Sequence, residues 1–343
     1  MVASFHSHGA KAHEQSIRIT SMIDIYVAIV IIISSWFIAR NLRKYITFEL
    51  DQNSKHYGGE LVADVLRAHG VRFLFTLCGG HISPILVAAE KRNIRVVDVR
   101  HEATAVYAAD AVSRLSGSVG VAAVTAGPGV TNTVTAIKNA QMAESPLVLL
   151  AGASAGLIRG RGSLQDIDQL SLFHSLCKWS GRVTRVKDIV PVLCTAFFKA
   201  SSDTPGPVIV EFPIDTLYPY HLVKEHMRIS DSPRSWRQRC TNWYLRFYLF
   251  RLFANGFQIK PCPPETHPSE IPIREPTFPL PTDKQVNRLV LLLSQAQRPV
   301  AVVGSQALLP PISASATAEN LQIPSMLPDL PTAFHFTEWK IRM

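Results

Sequence analysis

The feature that most constrains this chain is an alternation. Between residues 57 and 220, apolar runs of strand length take turns with segments of helical spacing. The strand candidates are 71–77 (VRFLFTL), 94–99 (IRVVDV), 119–125 (VGVAAVT), 146–152 (PLVLLAG), a run near 178–185, and 207–213 (PVIVEFP). Helical spacing covers 60–69, 82–92, 102–115, a segment ending at Met142, and a segment opening near Asp188 with Pro191 in its first turn. Gly70 and Gly117 stand where two of these helices should stop, the place for a left-handed closing residue. Strands that are apolar throughout are those covered on both faces, and strands separated by helices pair in parallel. The expectation is a doubly wound α/β domain over 57–220 with a parallel six-stranded sheet. In such sheets ligands bind beyond the carboxyl ends of the strands. The loops to inspect are therefore 78–81, 100–102, 126–132 and 153–168.

The flanking segments read differently. Residues 1–21 form a polar N-terminal tail, and 22–39 (MIDIYVAIVIIISSWFIA) are apolar, with no charge after Asp24. Crossing a bilayer takes about 20 apolar residues, so 22–39 is expected to be a single transmembrane helix. The basic flank Arg40, Arg43 and Lys44 then puts the bulk of the chain in the cytosol. Residues 221–281 read as a linker holding an aromatic helix (WYLRFYLFRLFANGF, 243–257) and a proline-rich run. Residues 282–317 open like a second α/β domain, helix then strand, but do not continue far enough to close a core. The last segment, 318–343, is expected to be irregular.

Composition narrows the function. With 47% hydrophobic and 18% charged residues, a packed core is available and wholesale disorder is excluded. The formal charge is +9, but the basic residues are scattered rather than interleaved with aromatics, so nucleic acid is not the expected partner. Five cysteines form no C-x-x-C pair and the histidines no metal spacing; no metal ligands are expected.

Two loops carry candidate chemistry. AGPGVTN (126–132) leaves a strand and opens a helix, which suits an anion, but a dinucleotide fingerprint needs a third glycine where Asn132 stands. The acid expected after the next strand is also replaced, by Ala151, Gly152 and Ala153. Glu102 stands where strand 94–99 turns into an alanine-rich helix. A carboxylate there gains about 0.3–1 kcal/mol from the helix dipole, and this is its plain structural reading. The functional reading is proton transfer, because a carboxyl at the ligand edge in apolar company suits acid–base work at neutral pH. Gln165 is either a pocket wall or a helix start. His81 and His101 lie near the same edge and read as structural.

Residues 100–152, from RHEATAVYAAD to PLVLLAG, resemble the pyrimidine-binding domain of thiamine-diphosphate enzymes, near acetolactate synthase. GGHISPILVAAE, SLQDIDQLSLF and GPVIVEFPIDTLYPY add to the likeness in the right order, and it covers about residues 57–310. With the apolar N-terminal segment and WYLRFYLF, the chain is most similar to the 2-hydroxyacyl-CoA lyase branch, an endoplasmic reticulum membrane group of fatty acid alpha-oxidation. That resemblance implies thiamine diphosphate and Mg²⁺ as cofactors. It implies that Glu102 bonds N1′ of the aminopyrimidine and promotes the imino tautomer that activates the thiazolium. By the same likeness Gly79, Gly80, Pro128 and Asn132 line the pyrimidine end, and Gln165 faces an acyl-CoA substrate. The reaction implied is cleavage of 2-hydroxyacyl-CoA to formyl-CoA and a shortened aldehyde. The family's GDG motif, which holds the diphosphate and Mg²⁺, does not occur in the sequence. The chain is therefore expected to be truncated at its C-terminus and inactive alone, pairing as a homodimer, as a tetramer, or with a full-length enzyme. Two other readings stand beside this: a non-catalytic partner of the complete enzyme, and an acetolactate-synthase-type carboligase.

Overall fold

Apolar strands separated by amphipathic helices leave one economical arrangement, a parallel sheet wrapped on both faces, and the chain adopts it. A computed structural model describes residues 27, 29–38, 40, 52, 54–230, 233, 235–263, 266, 268–297, 300–302 and 340–342. The chain divides into two units, Met1–Leu50 and Asp51–Met343. In the first, residues 29–38 are helical and their large apolar side chains are exposed. That run rises about 15 Å, half of a hydrocarbon core of about 30 Å. Among the described residues no helix is long and apolar enough to cross a membrane, so the expected span 22–39 finds no support here. Part of that span (22–26, 28 and 39) lies outside the described residues.

The second unit holds the α/β domain. Its elements run α1 (Gly58–Ala68), β1 (Phe73–Leu77), α2 (Ser83–Lys91), β2 (Arg95–Asp98), α3 (Glu102–Ser116) and β3 (Gly120–Val124). They continue α4 (Pro128–Thr131), α5 (Val134–Met142), β4 (Leu147–Ala153), α6 (Gln169–Phe173), β5 (Trp179–Arg182), α7 (Ile189–Ser201) and β6 (Pro207–Pro213). The strand order is β2-β1-β3-β4-β6-β5, with every pairing parallel. β3, β4 and β6 are buried along their whole length; β3 and β4 are unbroken apolar runs, and the one charge in β6, Glu211, is paired with Arg182. The edge strands are less covered: β2 is exposed at both ends, and β5 (WSGR) is half-buried and pairs with β6, Trp179 opposite Val208. Gly70 and Gly117 both adopt positive φ (71° and 69°) at the ends of α1 and α3.

The core lies between β3, β4 and β6 and the alanine-rich face of α3. Ala105, Val106 and Ala109 pack in one cluster with Ala122, Val124, Leu149 and Ile209, all fully buried. Alanine lets helix and sheet approach closely. A Cβ on Gly120 would stand 2.0 Å from the Ala109 carbonyl oxygen.

Beyond β6 come α8 (Ile214–Leu217), α9 (Tyr220–His226) and α10 (Trp236–Phe253). α10 is the expected aromatic helix, starting at Trp236 rather than 243, and it packs against the domain rather than leading away from it. Asn242, Leu249, Leu252 and Phe253 are buried, while Trp236, Trp243, Tyr244 and Phe247 are exposed. The helix α11 (Asp283–Gln295) and strand β7 (Val300–Val302) stand where the second α/β domain was expected to open. Here the structure differs from the expectation, because β7 pairs antiparallel with β8 (Lys340–Arg342), inside the tail read as irregular. A short edge strand offers a row of unpaired backbone groups, and any extended segment can complete it.

Candidate active site

The sheet reverses direction at β1: β2 lies on one side of it and β3, next in the chain, on the other. Loops leaving strands at such a point diverge and open a crevice. Three loops meet there, 78–81 after β1, 99–101 after β2 and 125–127 after β3.

Glu102 is the first residue of α3. His101 caps that helix, its Nδ1 accepting from the Ala103 N–H at 3.1 Å, which accounts for this histidine structurally. Although a first-turn residue, Glu102 is only 7% exposed. Its Oε2 accepts a hydrogen bond from the Asn132 side-chain amide at 2.9 Å. Its Oε1 lies beside Gly129, where a Cβ would come within 3.4 Å. Asn132 arrives from the loop after β3. Gly127 takes φ 62° and ψ −113°, Pro128 fixes the first position of one-turn helix α4, and Asn132 ends it. Only glycine adopts that backbone without strain, and a Cβ on Gly127 would also meet the Gln165 carbonyl oxygen at 2.8 Å.

The first loop closes against the same residues. A Cβ on Gly79 would stand 2.5 Å from the Thr125 Cβ, and one on Gly129 would stand 2.8 Å from the Thr125 Cγ2. Gly79, Thr125, Gly129 and Glu102 therefore form one continuous contact. His81 is half-buried, with its Nδ1 at 3.2 Å from the Thr125 hydroxyl, and burial pushes its pKa down and favours the neutral ring. Gly80 has open space where a side chain would be, and its carbonyl accepts from the Tyr218 hydroxyl at 3.3 Å. Gln165 has a positive φ of 61°, an uncommon conformation for a residue with a side chain, and its backbone closes over Gly127.

The sequence pointed to Gln165 and passed over Gln169, four residues on in the same motif. Gln169 is buried, accepts from the Gly127 N–H at 3.2 Å and donates to the Gly152 carbonyl at 2.8 Å. It thereby ties the ends of β3 and β4 together. Asp215 was also missed. Just after β6, it accepts from the Tyr248 hydroxyl at 2.5 Å and from the Gly156 N–H at 3.2 Å. Burial raises the pKa of this carboxyl, and the bond from Tyr248 acts against the rise. Nothing local in IDTLYPY marks it, because its partner comes from α10.

The geometry suits an aminopyrimidine. One buried carboxylate oxygen is held by an amide, and the other borders a glycine that leaves a planar ring room to approach. Residues 56–172 match the family model described as thiamine pyrophosphate enzyme, N-terminal TPP binding domain. Over these residues the chain is similar to the N-terminal domain of thiamine pyrophosphate enzymes. The matched residues run from α1 into α6 and include every loop at the crevice. The domain is similar to 2-hydroxyacyl-CoA lyase 2 of Xenopus laevis, 73% identical over 301 residues, which are 88% of this chain and 46% of that protein. It is similar also to 2-hydroxyacyl-CoA lyase 2 of Homo sapiens, 56% identical over 282 residues, 81% of this chain and 43% of the relative. More distantly, an acetolactate synthase large subunit of Mycobacterium tuberculosis is 38% identical over 159 residues, 46% of this chain and 29% of the relative. The chain thus spans less than half the length of these relatives.

Proposed function

We propose that the chain supplies the cofactor-activating half of a thiamine-diphosphate-dependent lyase that splits 2-hydroxyacyl-CoA into formyl-CoA and an aldehyde one carbon shorter. The observation that carries the reading is the buried Glu102 carboxylate held by Asn132 beside Gly129 at the switch point of the sheet. The names of the relatives that align over more than four-fifths of the chain support the substrate. When bound, thiamine diphosphate would supply a nucleophilic carbon on its thiazolium ring, and that cationic ring would serve as the electron sink that carbon–carbon cleavage requires.

The chain's own residues do the rest at this end. Glu102 holds a proton at N1′ of the aminopyrimidine, and Asn132 keeps the carboxylate turned toward that atom. Gly79, Gly80 and Pro128 shape the walls around the ring, and Gln165 faces the acyl-CoA. The GDG pattern that would hold diphosphate and Mg²⁺ is not among these 343 residues. Turnover is expected wherever that pattern is supplied, by further residues of the same polypeptide or by an enzyme that pairs with this chain. Attachment to the endoplasmic reticulum membrane through 22–39, with the α/β domain in the cytosol, belongs to the same reading.

The test is formyl-CoA release from a 2-hydroxyacyl-CoA by that assembly, with thiamine diphosphate and Mg²⁺ present. Glu102→Gln keeps the acceptor for Asn132 and removes the proton site. It should cost about 10²–10⁴-fold in kcat, the usual range for a proton-transfer group. Full activity in E102Q would sink the proposal. The mycobacterial match favours one second reading, carboligation of two oxo acids, which would show as product from pyruvate rather than from an acyl-CoA.

A further inference from the structure

On the same edge of the sheet, past β4 and β6, lies a second cavity of about 720 Å³. It is lined by Leu157 and Ile158 from the loop after β4, Ile214 after β6, Val223 and Met227 at α9, and Leu245 of α10. Its size is that of a small-molecule site rather than a packing defect. We propose that this cavity receives the hydrocarbon tail of the acyl thioester substrate.

Three observations point to an apolar occupant. Most of the lining is aliphatic or methionine. The most deeply buried polar group in the wall, Asp215, has its oxygens engaged by Tyr248 and by the Gly156 N–H. The His226 ring is likewise engaged, its Nδ1 at 2.8 Å from the Leu222 carbonyl. A polar ligand would be stripped of water here with little to replace it, whereas a methylene chain loses nothing. Position supplies the third argument. Tyr218, another wall residue, donates its hydroxyl to the Gly80 carbonyl in the loop beside Glu102, so cavity and crevice share a partition. The same arrangement gives α10 a purpose: Tyr248 pins the aromatic helix to Asp215, and the helix closes the cavity with Leu245.

The inference rests on the lyase reading for the identity of the head group, and its test separates the two. The purified full chain in lipid nanodiscs is irradiated with palmitoyl-CoA carrying a terminal diazirine, and the labelled peptides are mapped by mass spectrometry. Label is expected on 155–158, on α9 or on Leu245. Competition by octanoyl-, dodecanoyl- and palmitoyl-CoA should strengthen with length, up to about fourfold per added methylene. Met227→Trp fills the cavity and should cut specific labelling roughly tenfold or more. Ile158→Trp, at the 44% exposed rim, should do the same should M227W fail to fold. Label confined to 22–39, or displaced by phospholipid vesicles but not by acyl-CoA, overturns the proposal. Length-dependent competition in an assembly that releases no formyl-CoA overturns the lyase reading and leaves the cavity standing. Release whose KM ignores tail length does the reverse.

Discussion

Gln169 decides whether the loop after β3 holds its shape. Its amide joins the Gly127 N–H to the Gly152 carbonyl inside the protein, so Gln169→Ala takes a buried partner from each of two backbone groups. Each such group costs about 1–3 kcal/mol, and urea denaturation of Q169A should show a loss in that range or above. A smaller loss would mean that water replaces the amide. The chain's text offered two glutamines in SLQDIDQLSLF and no physical means to rank them, since both precede an apolar run. The choice depends on which one the fold turns inward, and that is set by β4 and α4, far away in sequence. Glu102 was easier to find because a strand end and a helix start meet there, but Asn132 as its partner required the fold. His81 adds a pH dependence whose sign follows from its lowered pKa. Below the ordinary value of about 6.5 the unfolded chain takes up this proton before the folded one does. Its contribution to stability is therefore complete above that pH and is lost as pH falls, and His69 acts in the same sense. Asp215 and Glu211, whose pKa values are raised by burial, act oppositely: their contribution is complete below the ordinary carboxylate range and is lost as pH rises through the folded values. Comparing urea midpoints at pH 7.5 and 5.5 in wild type and His81→Gln isolates the histidine, and the variant should show the shallower acid loss. Equal slopes would mean that the His81 ring is not held neutral by burial.

At the scale of elements, the helix that carries Glu102 is positioned by its backbone contact with β3. Gly120→Ala would drive a Cβ to 2.0 Å from the Ala109 carbonyl oxygen, a backbone atom that cannot swing aside. Overpacking of this kind costs about 1–3 kcal/mol, and the shift it forces moves the start of α3. G120A should therefore lower the thermal midpoint and also weaken turnover; a loss of stability with unchanged kcat would show that α3 adapts without moving Glu102. Elements of this kind were legible because hydrophobic period carries most of the information, with 3.6 residues for α3 and near-continuous apolar runs for β3, β4 and β6. β5 lacked such a run, and WSGR is a strand only because β6 offers it an edge. α6 stayed hidden in a polar loop because its burial comes from the sheet edge above it. The antiparallel β7–β8 pair could not be read, since pairing across some forty residues leaves no periodic trace.

At the scale of the whole molecule, two features compete as the means of the proposed attachment to a membrane, and they differ in their response to salt. One is the apolar segment 22–39, whose described side chains Ile31, Ile32, Ile33 and Phe37 are exposed. Arg40 sets its guanidinium 5.3 Å from the centre of the Trp36 ring, a pairing of cation and aromatic suited to the headgroup region. The other is the outer face of α10. Trp236, Trp243, Tyr244 and Phe247 share one stripe, and Arg237 and Arg239 are exposed near its start. Insertion of 22–39 is driven by burying apolar surface, so it should survive high salt. Adsorption through α10 draws about 1 kcal/mol from each arginine near an anionic surface, and that attraction is screened as salt rises. Co-flotation with phosphatidylserine-containing liposomes distinguishes them. If 22–39 is the anchor, the full chain floats at low and high salt alike, and a form lacking residues 1–45 stays at the bottom under both. Flotation of the shortened form at low salt, lost at high salt and lost with Trp243→Ala, would transfer the role to α10. The aromatic helix would then both close the tail cavity and rest on the surface from which an acyl chain arrives.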